Sequence, residues 1–331
     1  MRGKIKILFV YPHLSSFIKT DLEILQRHFD VIPHQWTRTR DIKNILRVIR
    51  YILRTDLSFI WFAGGHAARL VFLSKLFRKK SIVVVGGYEV AKVPEINYGL
   101  MLNPKSARRV KYVLENADLV LTVDESLKKD AINNARVNGE NILTVPTGYD
   151  YEKFKAKGEK KDLILTVAYV SKDTIKRKGL ETFVKAAKYL PNLKFVVVGP
   201  HYDNSIRKLK SIASGNVKFT GFVPDEELIK YYQKAKIYCQ LSRYEGLPNA
   251  LCEAMLCECV PVGTRYCGIP TAIGDTGVYV PYGDPKATAE AIKEALKSDK
   301  RKAARERIKT MFPIEKREKE LRTIIEQVTS N

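Results

Sequence analysis

The sequence predicts an α/β protein made of two Rossmann-like units, each built around a parallel sheet. Short apolar runs rich in β-branched and aromatic residues alternate with helical or loop segments along both halves of the 331-residue chain, as expected for buried parallel strands. The same order of elements repeats in the two halves, and a short polar run at 151–161 separates them. This length suffices for two domains that each bury a core.

The strands can be located in chain order. The first half contains the runs KIKILFVYP, FDVIPHQW, LSFIWFAGG, SIVVVGGYE and LVLTV, and the second half contains LILTVAYV, KFVVVG, VKFTGFV, IYCQLS and VPVG. In an open α/β sheet the ligand binds beyond the carboxyl ends of the strands. With two such sheets we expect the ligand site in a cleft between them.

Two glutamates eight positions apart, Glu245 and Glu253, bracket the run EGLPNALCE. Pro248 can begin a helix here without losing a useful N–H, so the spacing places Glu245 on a loop and Glu253 about two turns into the helix. The first backbone N–H groups of that helix, at Asn249 and Ala250, favour an anion. The pattern predicts a phosphate site with a carboxylate on either side for sugar and ribose hydroxyls. Taken alone, two solvated surface glutamates are the commoner explanation.

Four other segments accompany the glutamate pair. In chain order they are ADLVLTVDESLKKD, VPTGYDYEKF, RKGLETFVKAAKYLPNLKFVVVG and, after the glutamates, FPIEKREKEL. Together these segments resemble the retaining nucleotide-sugar glycosyltransferases of family 4, which have the GT-B fold and an E-x7-E motif. The resemblance implies an acceptor-binding domain at 1–155 and a domain that binds the nucleotide sugar at 156–311. It also implies that residues 312–331 pack back onto the first domain.

The resemblance implies a donor site in the second domain. Glu245 would contact the transferred sugar, Glu253 would contact the ribose, and Lys178 would bind the diphosphate. The usual arginine of the family is not at its expected position, and Arg177 or Lys172 would replace it. The other implied donor-site residues are Gly221, Phe222 and Val223 at the nucleobase, and Gly246, Leu247, Pro248, Asn249 and Ala250 around the helix start. Phe222 is equally compatible with a place in the core.

The implied reaction is glycosyl transfer with retention at the anomeric carbon, from a nucleotide-diphosphate sugar to a glycan or a lipid-linked acceptor. Lys178 and the helix start would stabilise the growing charge of the leaving diphosphate. No cofactor and no metal ion are expected, because there is no D-x-D motif to hold a diphosphate through a divalent ion. We expect the five cysteines to be buried thiols. A metal site at Cys257 and Cys259 is not supported, because there is neither a C-x-x-C spacing nor a nearby histidine.

On the acceptor side the sequence departs from the family. The loop after the first strand reads YPHLSSF where many members have Gly-Gly, and Gly86 occupies the usual position of a histidine. The candidates are therefore His66, which follows the third strand and a Gly-Gly pair, together with Gly87 and Glu89 after the fourth strand. His66 is also a candidate catalytic residue, although a structural or helix-capping histidine fits the same position.

The formal net charge is +22, and part of this excess is concentrated in residues 38–80. That segment holds two aspartates, Asp41 and Asp56, against eleven basic residues: Arg38, Arg40, Lys43, Arg47, Arg50, Arg54, Arg69, Lys75, Arg78, Lys79 and Lys80. Within it, DIKNILRVIRYILR places Ile42, Ile45, Leu46, Ile49, Ile52 and Leu53 on one face of a helix, with basic residues on another. Such a helix can dock on an anionic membrane, at about 1 kcal/mol per basic residue. Alternatively, its apolar face packs on the first sheet and its charges are solvated.

Two other classes of protein share these features. A basic protein of pI about 9.7 could bind nucleic acid without any chemistry, but no RNA-recognition or DNA-reading motif is present. A GT-B epimerase would share the donor site and would need acid and base groups from the first domain. No apolar stretch reaches membrane-spanning length, and the apolar run in MRGKIKILFVYP is too short for a secretory signal. We therefore expect a cytoplasmic protein, peripheral on the inner face of the cell membrane if the basic helix docks there.

Overall fold

The computed structural model describes residues 4–36 and 42–330, so the predicted surface residues Arg38, Arg40 and Asp41 lie outside the described part. The chain divides into two compact units, Met1–Gly148 with Ile314–Asn331, and Tyr149–Pro313. Each unit contains a six-stranded sheet, and every strand pair in both sheets is parallel. The predicted α/β class with two parallel sheets is confirmed.

In the first unit, strands and helices alternate. The elements are β1 (Lys6–Tyr11), α1 (Ser16–His28), β2 (Asp30–Gln35), α2 (Ile42–Arg54), β3 (Leu57–Trp61), α3 (Gly65–Leu76), β4 (Lys80–Val85), α4 (Pro104–Asn116), β5 (Leu119–Thr122), α5 (Glu125–Ala135) and β6 (Ile142–Thr144), with 3-10 turns at Pro94–Ile96 and Leu100–Leu102. The strand order is β2-β1-β3-β4-β5-β6. After β2 the chain crosses to the other side of β1, so the topological switch point lies between β1 and β3.

The second unit follows the same plan. Its elements are β7 (Lys161–Val167), α6 (Lys172–Arg177), α7 (Leu180–Ala186), a 3-10 turn (Ala187–Tyr189), β8 (Lys194–Val198), α8 (Ser205–Ile212), β9 (Val217–Phe219), α9 (Asp225–Lys234), β10 (Ala235–Gln240), α10 (Asn249–Leu256), β11 (Val260–Gly263), α11 (Gly268–Ile273), β12 (Val278–Tyr279), α12 (Pro285–Lys297) and α13 (Arg301–Met311). The strand order is β12-β11-β10-β7-β8-β9. The switch point here lies between β7 and β10.

The last helix, α14 (Ile314–Ser330), belongs to the first unit. Its Arg317 is fully buried and donates hydrogen bonds to both carboxylate oxygens of Asp21 in α1, at 3.1 and 2.7 Å. The same guanidinium donates to the carbonyl oxygens of Val145 and Pro146, just after β6. Because a buried charge without partners is costly, these four bonds fix α14 to α1 and to the chain segment that leaves the first unit.

Candidate functional site

Three charged side chains meet at the carboxyl ends of β7 and β10. Lys178 Nζ lies 2.6 Å from Glu245 Oε1, and Arg177 Nη1 lies 3.2 Å from the same oxygen. All three side chains are mostly buried. The cluster therefore occupies the switch point of the second sheet, which is where open α/β sheets bind their ligands. Of the two basic residues predicted to accompany Lys178, Arg177 joins the cluster, whereas Lys172 is exposed at the start of α6.

A glycine allows Lys178 to reach this position. Gly179 has φ of +64°, in the left-handed region that favours glycine, and it links α6 to α7. A Cβ atom at this position would lie 2.3 Å from the carbonyl oxygen of Leu241, which follows β10. The close approach of these two backbones brings the end of α6 beside the loop that carries Glu245.

The charge state of Glu245 follows from its neighbours. Burial alone raises the pKa of this carboxyl, but the charges of Lys178 and Arg177, together with hydrogen bonds from Lys178 and Ser242, hold the pKa below its ordinary value. Burial lowers the pKa of Lys178, and the charge of Glu245 partly offsets this shift. Gln240 adds a hydrogen bond of 3.2 Å to Glu245 Oε1. Glu245 is thus a fixed carboxylate beside two basic groups, which leaves an excess of positive charge.

Glu253 is the fifth residue of α10 and therefore lies little more than one turn into the helix, not the two turns that its spacing from Glu245 suggested. The hydroxyl of Tyr232, a fully buried residue of α9, donates a hydrogen bond of 3.0 Å to Glu253 Oε2. Burial raises the pKa of Glu253 to about 7, although the Tyr232 hydrogen bond and the charge of Lys153 oppose the increase. Near neutral pH this side chain exchanges between an acceptor-only carboxylate and a protonated acid.

The loop before α10 is held in place from both sides. Pro248 is the residue that precedes the helix, and the Asn249 Oδ1 atom accepts a hydrogen bond of 2.9 Å from the Tyr149 hydroxyl. A Cβ atom on Gly268, the first residue of α11, would lie 1.9 Å from the carbonyl oxygen of Gly246, so the loop after β10 packs backbone against backbone with the start of α11. The predicted phosphate-site residues Gly246, Leu247, Pro248, Asn249 and Ala250 span this loop and the first turn of α10. N–H groups at such a helix start favour an anion.

The opposite end of α10 is bound by two cations that sequence reasoning missed. The ammonium group of Lys160, a buried residue, donates to the carbonyl oxygens of Tyr232 and Cys257, at 2.9 and 2.5 Å. Arg305 donates to the carbonyl oxygen of Leu256. Positive charge at a helix C-terminus complements the helix dipole. No local sequence signal links Lys160 or Arg305 to a helix that lies far away in the chain.

The predicted nucleobase loop follows β9. Gly221 has φ of +74° with open space where a Cβ would be, and Phe222 is 75% exposed. The interpretation of Phe222 as a core residue is therefore wrong, because its ring faces solvent. Tyr169 and Tyr202, after β7 and β8, are also exposed and have ring centroids 5.4 Å apart. The sheet edge from β7 to β9 thus carries several exposed aromatic rings, of which the sequence predicted only Phe222 as a site residue.

In the first unit, the side chains of the predicted acceptor-side residues His66 and Glu89 are already hydrogen-bonded to backbone groups. The Glu89 carboxylate is buried and accepts hydrogen bonds from the N–H groups of Ala63, Gly86 and Gly87, at 3.0 to 3.2 Å. His66 is buried in the first turn of α3, and its Nε2 lies 2.9 Å from the carbonyl oxygen of Trp61. A carbonyl oxygen only accepts, so Nε2 carries the proton. Burial lowers the pKa of His66 and raises that of Glu89. Both side chains organise loops at the sheet edge.

Four of the five cysteines are buried thiols, as predicted, whereas Cys267 is partly exposed. Cys239, Cys252, Cys257 and Cys259 are buried, and burial raises the pKa of Cys252 and of Cys257 to about 12. The Cys259 Sγ atom lies 3.1 and 3.2 Å from two backbone carbonyl oxygens. Across residues 4–36 and 42–330, no group of three or more His, Cys, Asp or Glu side chains is arranged to hold a metal ion.

A second surface lies on α2 and α3. In α2, Val48 and Ile52 are buried, but Ile42, Leu46 and Leu53 are 72%, 62% and 54% exposed. The alternative that the apolar face of α2 simply packs on the sheet therefore holds only in part. The neighbouring α3 exposes two further large apolar side chains, Phe72 and Leu76. Among the described residues, no helix combines the length and the apolar character needed to cross a membrane.

Comparisons with known proteins agree with this geometry. Residues 150–311 match the family Glycosyl transferases group 1. The chain is 25% identical to the capsular polysaccharide biosynthesis glycosyltransferase CapM of Staphylococcus aureus, over 90% of this chain and 84% of that protein. It is 24% identical to a phosphatidylinositol N-acetylglucosaminyltransferase protein of Arabidopsis thaliana, over 76% of this chain but only 57% of the length of the plant protein.

Solved structures show the same fold. The crystal structure of Anabaena Alr3699/HepE in complex with UDP and glucose superposes with a TM-score of 0.79 at 14% sequence identity, and the match covers 98% of this chain and 100% of that one. At this identity the likeness concerns the fold, which is GT-B. Residues 150–311, just under half of the chain, thus match a glycosyltransferase group 1 domain, and the fold of the chain is GT-B.

Proposed function

We propose that this enzyme transfers a sugar from a nucleotide-diphosphate sugar to a hydroxyl group of an acceptor, with retention at the anomeric carbon and without a metal ion. The observation that carries the proposal is the cluster of Arg177, Lys178 and Glu245 at the switch point of the second sheet. The cluster has two basic groups against one carboxylate, and the N–H groups of the first turn lie at the start of the helix that follows Pro248. Both features favour binding of a diphosphate. Glu253 suits the two hydroxyls of a ribose.

The chemistry divides into two bond changes. The bond between the anomeric carbon and the diphosphate oxygen breaks, and the leaving diphosphate keeps the electron pair. The acceptor oxygen forms the new bond on the same face of the sugar, and its proton passes to the leaving diphosphate. Lys178, Arg177 and the first N–H groups of α10 stabilise the developing negative charge, so the charge of a divalent ion is not needed. Glu245, held by Lys178 and Gln240, accepts hydrogen bonds from the hydroxyls of the transferred sugar.

The alternative of a nucleotide-sugar epimerase is less well supported. An epimerase needs acid and base groups from the first unit. The two titratable residues that the sequence predicted there, His66 and Glu89, are buried and hydrogen-bonded to backbone groups. Product analysis separates the two reactions, because an epimerase returns a nucleotide sugar and a transferase releases the nucleoside diphosphate.

We further propose that the acceptor is lipid-linked or is a glycan at an anionic membrane surface, with α2 and α3 as the docking surface. The plant relative has phosphatidylinositol in its name. Ile42, Leu46 and Leu53 form an exposed stripe of α2, and Lys43, Arg47, Arg50 and Arg54 lie beside that stripe. Exposed apolar residues beside basic ones favour the interface of an anionic bilayer. The localisation that follows is peripheral, on the cytoplasmic face of the membrane.

The donor proposal is tested by thermal unfolding of the wild type and of Glu253→Ala with UDP, GDP and ADP and their common sugars. A nucleotide at about a hundred times its dissociation constant stabilises by roughly 2.7 kcal/mol. We expect one nucleotide to stabilise the wild type and to lose this effect in the variant. NMR of the glycoside product, formed with EDTA present, then reports the anomeric configuration. An inverted product, or activity that EDTA abolishes, contradicts the proposal.

The membrane proposal is tested by sedimentation with vesicles of phosphatidylcholine alone and with phosphatidylglycerol added. The double variant Leu46→Asn with Leu53→Asn should bind the anionic vesicles at least about tenfold more weakly, because the transfer of both side chains out of water is lost. Leu143→Asn, at an exposed leucine of β6 in the same unit, is the matched control. Equal binding by all three proteins would exclude α2 from the docking surface.

A further inference from the structure

The switch point of the first sheet holds two stacked rings. His13 follows β1 and Phe62 follows β3, the two strands that flank this switch point. Their ring centroids lie 5.5 Å apart, with the ring planes inclined by 20°. The rule that places ligands at the switch point of an open α/β sheet applies to this unit as it does to the charged cluster of the second unit. The two rings therefore occupy the position where a ligand of the first unit is expected.

The backbone at Phe62 is strained. Its φ is +71°, a conformation that is unfavourable for a bulky residue and that proteins retain chiefly where function requires it. The ring lies directly over Gly86, where a Cβ atom would come within 2.6 Å of the Phe62 Cε1 atom. The absence of a side chain at Gly86 thus makes room for the ring. Phe17 and Trp61 pack around the same ring, at 6.3 and 5.6 Å between centroids.

The polar groups near the stacked pair differ from the others at this sheet edge. Glu89 and His66 have backbone partners. His13 is exposed, and within residues 4–36 and 42–330 its ring nitrogens have no hydrogen-bond partner in the protein. Among the described residues, the buried Nε1 atom of Trp61 and Oγ atom of Ser15 also have no partner. Buried polar atoms without partners in a native structure call for an explanation, such as a ligand that supplies the missing bond.

We propose that His13 and Phe62 form the acceptor subsite and bind a sugar ring or another polyol ring. Such a ring has an apolar C–H face, which packs on the negative face of an aromatic ring, and a rim of hydroxyl groups that both donate and accept. A neutral imidazole offers one donor and one acceptor to that rim. The subsite rests on the proposed glycosyltransfer reaction and names its acceptor class. His13 and Phe62 bind the acceptor and take no proton from it.

The subsite can be observed directly in the full-length protein by NMR of 15N-histidine-labelled imidazoles, since the chain has five histidines. The probes are the octyl glycosides of glucose, galactose, mannose and N-acetylglucosamine below their micelle concentrations, and His13→Gln assigns the His13 signals. We expect at least one glycoside to shift the His13 signals while those of His201, in the second unit, stay in place. If no glycoside shifts the His13 signals, the subsite is overturned.

Substitutions of the two ring residues provide a second test of the subsite. His13→Ala and Phe62→Leu should each weaken binding of that glycoside about tenfold, the loss expected for one hydrogen bond or one ring contact, and should leave UDP or GDP binding unchanged. Leu14→Ala, at the next exposed residue of the same loop, should match the wild type. If Phe62→Leu fails to fold, His13→Ala carries the test. Unchanged glycoside affinity in His13→Ala overturns the subsite, whereas a wild type that binds no nucleotide contradicts the proposed function instead.

Discussion

Glu253→Gln should stabilise the folded chain at alkaline pH and at the same time weaken nucleotide binding. Burial raises the pKa of Glu253 from its ordinary value of 4.5 to about 7. Between these two values the folded state holds a proton that the unfolded state has released. Stability therefore falls as pH rises from about 4.5 to about 7 and stays lower above that range.

The size of the effect follows from the shift. About 2.5 pKa units at about 1.4 kcal/mol each give a destabilisation of about 3 kcal/mol above neutral pH. Glutamine carries no charge, and its side-chain carbonyl still accepts the hydrogen bond of the Tyr232 hydroxyl. Binding changes in the opposite direction, because two ribose hydroxyls lose a charged acceptor, at about 1.5 to 3 kcal/mol for such a bond. In the wild type, affinity should fall as the pH drops below about 7 and the carboxylate becomes protonated, and it should level off at the affinity of the uncharged side chain.

The assay is thermal unfolding from about pH 5.5 to 8.5, with and without the nucleotide that stabilises the wild type. The variant should unfold at a higher temperature than the wild type at the alkaline end, and the difference should shrink toward acid pH. Glu226→Gln, at an exposed glutamate of α9, is the control and should change neither property. A Glu253→Gln protein that is less stable than the wild type at every pH, or that binds the nucleotide equally well, would refute the reasoning.

Three further substitutions test the framework of the two units. Lys178→Ala should lower kcat about a hundredfold, the usual cost of one lost electrostatic contact, in a protein that still folds because Arg177 continues to pair with Glu245; equal turnover would remove the lysine from the reaction. Gly179→Ala should lower the free energy of unfolding in urea by about 1 to 3 kcal/mol, because φ of +64° and the nearby carbonyl oxygen of Leu241 both disfavour a side chain. An unchanged free energy would contradict the close approach of the two backbones. Arg317→Met should lower the free energy of unfolding by about 3 to 5 kcal/mol, because it leaves the buried carboxylate of Asp21 unpaired. The double variant with Asp21→Leu should recover part of this loss. If it recovers none, the loss comes from packing and not from charge.

The strands could be predicted because parallel strands buried on both faces are continuous apolar runs, as the fully buried β3 shows. The two short strands β6 and β12 were missed, since three and two residues give little pattern. The glutamate spacing predicted the loop and the helix of the proposed donor site. It did not reveal that Arg177 and Lys178 share one oxygen of Glu245, because that contact depends on how β7 and β10 pair across a long stretch of chain.

The predicted acceptor side of the first unit shows a different limit. A histidine or glutamate after a strand can be seen in the sequence, but the sequence does not show whether backbone groups already use its hydrogen-bonding capacity. Glu89 and His66 are used in this way, whereas His13 is not. The positive φ of Phe62 and the space above Gly86 belong to tertiary packing and leave no local signal. The sequence therefore predicted residues at this sheet edge without showing which of its side chains remain available to a ligand.

The two units present different chemistry at equivalent topological positions. At the β7 and β10 switch point, basic groups outnumber the carboxylate, which suits a dianionic diphosphate whose charge grows during the reaction. At the β1 and β3 switch point, stacked rings replace the charges, which suits a neutral ring of C–H and O–H groups. Salt screens the first kind of contact and affects the second far less. Affinity for the proposed nucleotide donor should therefore weaken with ionic strength, while affinity for a neutral glycoside stays nearly constant.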